Sequence, residues 1–139
     1  MRTFLFGLTL ALAAAGCSKS TSPDLVAASK VTEVTIEELD GQIANGDCTP
    51  VDANGDATRK KMGVIPGAVL LSDSDTFNAK ELPADKSRQL VFYCANTHCG
   101  ASHEAAGKAM TAGYKNVKVL PEGIAGWVKA GKKTSQPAS

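Results

Sequence analysis

The chain has 139 residues, 43% of them hydrophobic and 21% charged, with a formal net charge of +1. This bounds it to one globular domain and argues against disorder, and with aromatics at only 5% the core must be mainly aliphatic. No nucleic-acid partner is expected, because the short runs Arg59-Lys60-Lys61 and Lys132-Lys133 read as solvated surface and do not form a clustered basic face.

The chain opens with Arg2 and then an uncharged, apolar or small run from Phe4 to Ala15, the layout of an export signal. That run is shorter than the roughly 20 apolar residues of a membrane-crossing helix. Ala14-Ala15-Gly16-Cys17 resembles a bacterial lipobox. Cleavage there would remove residues 1–16 as a lipoprotein signal peptide and expose Cys17 for lipidation. The alternative is ordinary signal-peptidase cleavage near Ala15 or Gly16, which leaves Cys17 a plain thiol. By the same resemblance, Ser18 implies an outer-membrane lipoprotein facing the periplasm, held to the lipid bilayer by acylated Cys17; otherwise the product is periplasmic. Loss of Arg2 leaves basic and acidic side chains in balance. Residues 17–29 then read as a flexible tether, 30–131 as the folded domain and 132–139 as a disordered tail.

Residues 30–34 are β-prone. Thr35 with Glu38 fits a capping box that opens a helix to about residue 44, with Ile36, Leu39 and Ile43 on one face. Asn45-Gly46 closes it. A brief strand is expected over 49–52, a turn at Ala53-Asn54-Gly55 and a short helix over 56–61. Ile65-Pro66-Gly67-Ala68 is a turn feeding a strand at 69–71, and 72–87 reads as mixed loop and short helix. Residues 89–93 form the clearest buried strand. A Cys-containing loop, a helix over 101–112, a strand over 117–120 and a last helix over 124–129 with Trp127 in the core complete the order. Strands joined through helices predict a parallel sheet covered on both faces. Sites in such sheets form beyond the carboxyl ends of the strands, which singles out the Tyr93–Cys94 junction.

Cys94 lies where a buried strand passes into a helix. Consecutive main-chain N–H groups and the positive end of the helix dipole favour an anion there. Both should lower the thiol pKa and populate the nucleophilic thiolate. The loop of Ala95, Asn96, Thr97, His98, Cys99 and Gly100 is the expected cradle for a substrate anion. The bland alternative is that Cys94 is a small buried residue. Cys99, in the same loop, is a possible resolving thiol able to form a disulfide with Cys94; otherwise it faces the core. The chain has four Cys, so acylation of Cys17 would leave an odd number. Cys48, ahead of the second strand, is expected to be structural. The spacing of Cys94, His98, Cys99 and His103 is not that of a zinc finger. Asp52-Ala53-Asn54-Gly55-Asp56 is followed by Gly63 where the last Glu of a calcium loop belongs. No metal and no cofactor are expected.

Val51-Asp52-Ala53-Asn54, Gly63-Val64-Ile65-Pro66-Gly67-Ala68, Phe92-Tyr93-Cys94, Ala112-Gly113-Tyr114, Val117, Gly123-Ile124 and Gly126-Trp127 together resemble the rhodanese (thiosulfate sulfurtransferase-like) family. The likeness runs from about residue 30 to 131. It implies a five-stranded, mainly parallel sheet flanked by helices on both faces. It also implies that Cys94 takes a sulfane sulfur as a persulfide and passes it on, one difficult transfer split into two. The partners would be a small sulfur-containing anion or persulfide donor and a thiol acceptor, acting on a monomer. The chain departs from the family pattern at Ala95 and Asn54, where Arg is common, and at Val64, where His is common. His98 is the loop's one potential cation, and the loop is longer than usual. That extra width resembles the rhodanese-fold phosphatases. Beside sulfur transfer stand a dithiol/disulfide redox module of Cys94 and Cys99 and a non-catalytic binding domain.

Overall fold

A computed structural model of the chain describes residues 31–137. The expected signal peptide, Cys17, the tether, Lys30 and the last two residues, 138–139, lie outside the described residues. Within them, no helix is long and apolar enough to cross a membrane.

The elements follow as β1 (Thr32–Glu33), α1 (Ile36–Asn45), β2 (Cys48–Asp52), α2 (Asp56–Met62), β3 (Val69–Leu70), a 3-10 turn (Ala79–Glu81), β4 (Gln89–Tyr93), α3 (Ala101–Thr111), β5 (Val117–Leu120) and α4 (Gly123–Lys129). Local chemistry sets the boundaries. The hydroxyl of Thr35 accepts from the Glu38 N–H at 3.2 Å, and the Glu38 carboxylate accepts from the Thr35 N–H at 2.8 Å. This reciprocal pair satisfies two donors that a helix start leaves unpaired. At Pro66-Gly67 the Ala68 N–H reaches the Ile65 carbonyl at 3.1 Å while Gly67 takes φ 78°. Proline followed by a positive-φ glycine makes a type II turn, and it aims the chain into β3.

The five strands form one parallel sheet in the order β1-β5-β4-β2-β3. The central strand β4 is buried along both faces. Leu90, Phe92 and Cys94 pack in a cluster with Ala105, Ala106 and Ala109 of α3, whereas Val91 and Tyr93 pack with Leu39, Ile124 and Trp127. The period-two alternation of a strand produces that division, so Cys94 faces α3. Registers Asp52↔Tyr93 and Tyr93↔Leu120 bring β2, β4 and β5 to end level with one another just before Cys94.

Two expectations are corrected. Arg59, read from sequence as solvated surface, is 6% exposed. Its guanidinium meets the Asp52 carboxylate at 3.2 Å and the carbonyls of Asp52 and Leu71 at 3.1 and 2.8 Å. A charge is buried when partners replace its water, and the buried carboxylate at the end of β2 supplies the main one. The tail expected to be disordered from residue 132 is instead docked as far as it is described, to 137. Val64 and Ser135 exchange main-chain hydrogen bonds at 2.9 Å each, and Lys132 Nζ meets Asp40 at 2.6 Å. The buried Trp127 indole donates to the Lys133 carbonyl at 2.8 Å; a buried N–H needs an acceptor, and the tail provides it.

Candidate active site

Cys94 is fixed from below by its strand and from the side by α4. The Ile124 and Ala125 N–H groups donate to the Cys94 and Ala95 carbonyls, both at 2.9 Å. Gly123, at φ 61°, lets α4 come this close. The Ala53 N–H donates to the Tyr93 carbonyl at 2.9 Å, tying in the neighbouring loop after β2. From Cys94 the chain turns outward through Asn96, Thr97 and His98, all exposed, and returns at Cys99, which is partly buried. Asn96 shapes this turn: its side chain accepts from the His98 N–H at 2.9 Å and its carbonyl from the Cys99 N–H at 3.1 Å.

The return brings the two cysteines of the loop together. Cys94 Sγ lies 3.1 Å from the Cys99 carbonyl oxygen and 3.4 Å from Ser102 Oγ. Their titrations diverge. Burial, the largest influence, pushes the Cys94 thiol up, and its hydrogen bond to the Cys99 side chain adds to this; the Ser102 hydroxyl and N–H work the other way without prevailing. For Cys99, partial burial also opposes ionisation, but hydrogen bonds from the Cys94 thiol and the N–H groups of Ala95 and Ala101 outweigh it and lower the pKa. Of the two sulfurs of this loop, that of Cys99 gives up its proton the more readily.

This corrects the expectation of an open, ionised Cys94. That sulfur is 1% exposed, because strand alternation turns it under α3 and not out to solvent. The N–H groups that act on this region serve sulfurs of the chain itself: those of Ala95 and Ala101 lower the Cys99 pKa, and that of Ser102 favours ionised Cys94. Asn96 takes two further amides of the loop. Asn96, Thr97, His98 and Gly100 are exposed, so of the expected lining only Cys99 closes on Cys94. Ser102 was not singled out in the sequence. Its signal was its place three residues after Cys99, on the first turn of α3.

Cys48, at the head of β2, is buried at the opposite end of the sheet, and desolvation raises its pKa. Asn54 is 8% exposed; its main-chain N–H donates to Asp52 at 2.7 Å, and its side-chain nitrogen makes no hydrogen bond among the described residues. Arg59, spent on Asp52, is not free to supply the guanidinium that the loop lacks. His103 lies on α3 with Nε2 3.9 Å from Glu33. Among the described residues no three His, Cys, Asp or Glu side chains converge on a metal position.

A family model described as Rhodanese-like domain matches residues 35–130. Among solved structures, the BH2092 protein of Bacillus halodurans is 25% identical, with a TM-score of 0.66, over 76% of this chain and 77% of its own. The RPA3614 protein of Rhodopseudomonas palustris, described as of unknown function and a possible tyrosine phosphatase, is 20% identical over 88% of this chain and all of its own, at a TM-score of 0.65. The human single-domain sulfurtransferase TSTD1 is 18% identical over 71% of this chain and 96% of its own, at a TM-score of 0.56. No curated protein sequence matches the chain.

Proposed function

The chain belongs to the rhodanese-like domain family, and on that premise we propose that it is a sulfurtransferase in which Cys94 carries sulfane sulfur as a persulfide. The observation that supports this reading best is the pair of sulfurs at the carboxyl end of the central strand. The Cys94 thiol points at a neighbour that is ionised more readily than itself. Cys99 can therefore accept the Cys94 proton as Cys94 attacks, so the buried thiol need not ionise in advance. The Cys94 sulfur bonds to the donor's outer sulfur, and the donor's sulfur–sulfur bond breaks with its electron pair going to the leaving group. A thiol acceptor then attacks the outer sulfur of the persulfide and restores Cys94. Access requires the exposed turn of Asn96, Thr97 and His98 to swing aside, and its own hydrogen bonds are those made by Asn96. A donor that is a persulfide or polysulfide suits a loop without Arg better than a strongly anionic one.

The full chain carrying Cys99→Ser, reduced and then treated with thiosulfate, polysulfide or glutathione persulfide, should gain the mass of one sulfur atom on the Cys94 peptide. Cys94→Ser should abolish that gain; if no donor gives an adduct, the sulfurtransferase reading fails. We also propose that Cys17 is acylated and hangs the domain from the outer membrane into the periplasm, which the lipobox-like Ala14-Ala15-Gly16-Cys17 supports. Labelled palmitate should enter the native chain and not Cys17→Ala; equal labelling of both would refute it.

A further inference from the structure

We infer that Cys99 resolves the Cys94 persulfide, so that the pair ends a cycle as a disulfide and the transferred sulfur leaves as sulfide. This rests on the sulfurtransferase reading and names its product.

Three observations carry it. The turn held by Asn96 folds Cys99 back over the end of β4, putting its carbonyl oxygen 3.1 Å from Cys94 Sγ and packing its side chain against the cluster that holds Cys94. The loop therefore already holds its two cysteines as packed neighbours, as a disulfide requires. Accessibility divides the roles: Cys94 is 1% exposed at the end of a rigid central strand, whereas Cys99 is only partly buried in the loop. The inner sulfur of a Cys94 persulfide thus lies beside Cys99 and beneath the turn, where Cys99 is closer than any thiol from solvent. Finally, the main-chain N–H groups of Ala95 and Ala101 lower the Cys99 pKa. They favour its thiolate, the form that attacks sulfur.

The chemistry balances with one external reductant. After sulfur transfer, Cys94 bears an outer sulfur and Cys99 holds the proton that came from Cys94. The Cys99 sulfur attacks Cys94 Sγ, the bond from Cys94 Sγ to the outer sulfur breaks, and the outer sulfur departs with the electron pair and the proton as hydrosulfide. The sulfane sulfur is reduced, and the two cysteines are oxidised to a disulfide. A dithiol, small or protein-borne, then returns the pair to thiols by exchange and is itself oxidised.

The test uses the reduced full chain, without oxygen, and glutathione persulfide equal in amount to the protein. Disulfides are mapped by peptide mass and sulfide is trapped with a bimane reagent. Wild type should yield a Cys94–Cys99 disulfide and sulfide equal in amount to the protein. Cys99→Ser and Cys99→Ala should each accumulate the Cys94 persulfide, with sulfide at the level seen without protein. A Cys94 persulfide that lasts as long in wild type as in these variants overturns the inference and leaves sulfur transfer standing. Absence of the persulfide from wild type and both variants, with no disulfide in wild type, overturns both. The wild-type products decide even if a variant fails to fold.

Discussion

Gly123 closes against the main chain of Cys94: a Cβ at Gly123 would lie 2.4 Å from the Cys94 carbonyl oxygen and 2.8 Å from the Ala95 carbonyl carbon. Both obstacles are backbone, so the conflict cannot be relieved by a side-chain rotation. The residue also sits at φ 61°, where an L side chain costs about 1–2 kcal/mol before any clash. Gly123→Ala should therefore lower stability by about 2 kcal/mol or more and push the reactive loop away from α4. Urea unfolding measures the first effect. The rate of Cys94 alkylation measures the second and should rise as the sulfur loses its cover; an unchanged rate would show that α4 does not hold the loop shut.

The divergent thiol titrations predict an order of reaction. Near neutral pH, iodoacetamide should label Cys99 before Cys94, with Cys94 following only under more alkaline conditions. Peptide mapping of partially labelled protein reads the order directly, and Cys94 labelled first would contradict the greater acidity of Cys99.

Ser102→Ala removes a hydroxyl that favours the ionised form of Cys94. The Cys94 pKa should rise further, shifting the pH profile of its alkylation to the alkaline side. The stability loss should be about 1 kcal/mol, the usual scale for one neutral hydrogen bond. Ser102→Thr, which keeps the hydroxyl, should restore the profile.

Stability should respond to alkali with a definite sign. Cys94 and Cys48 have folded pKa values raised by burial. Their contribution is complete below the unfolded thiol value of about 8.5 and is lost as pH rises through the folded values. Cys99 is depressed and acts oppositely, its contribution present above the unfolded value and lost as pH falls through the folded one. With two raised thiols against one depressed thiol, the urea midpoint should fall above about pH 8.5. Cys94→Ala should flatten that fall.

Arg59→Ala would strand the Asp52 carboxylate, fully buried beside the end of β4. Removing one partner of a buried ion pair costs about 3–5 kcal/mol. Arg59→Lys should recover little, because one ammonium cannot meet a carboxylate and two carbonyls in the fixed fork geometry of a guanidinium.

Much of this architecture was legible from residue order. The capping box at Thr35 and Glu38, the unbroken apolar run before Cys94 and the Pro66-Gly67 turn are local signals, and each marks the element it was read as. What sequence hid was direction and partnership. Alternation along β4 puts Cys94 on one face with Leu90 and Phe92 and so covers it; the helix dipole carries no such signal. Arg59 belongs to a charged run, and nothing local distinguishes it from Lys60 or Lys61 until Asp52 is placed beside it. The tail has no periodicity of its own, and its order comes from an indole seeking an acceptor.

The sheet ends on both sides in strands of two residues, β1 and β3. A neighbouring chain would find hardly any unpaired main chain to zip onto, since cross-molecule strand addition needs a longer run of free donors and acceptors. The long, sticky strands are kept in the middle, and the margins act as stops against runaway growth into fibres.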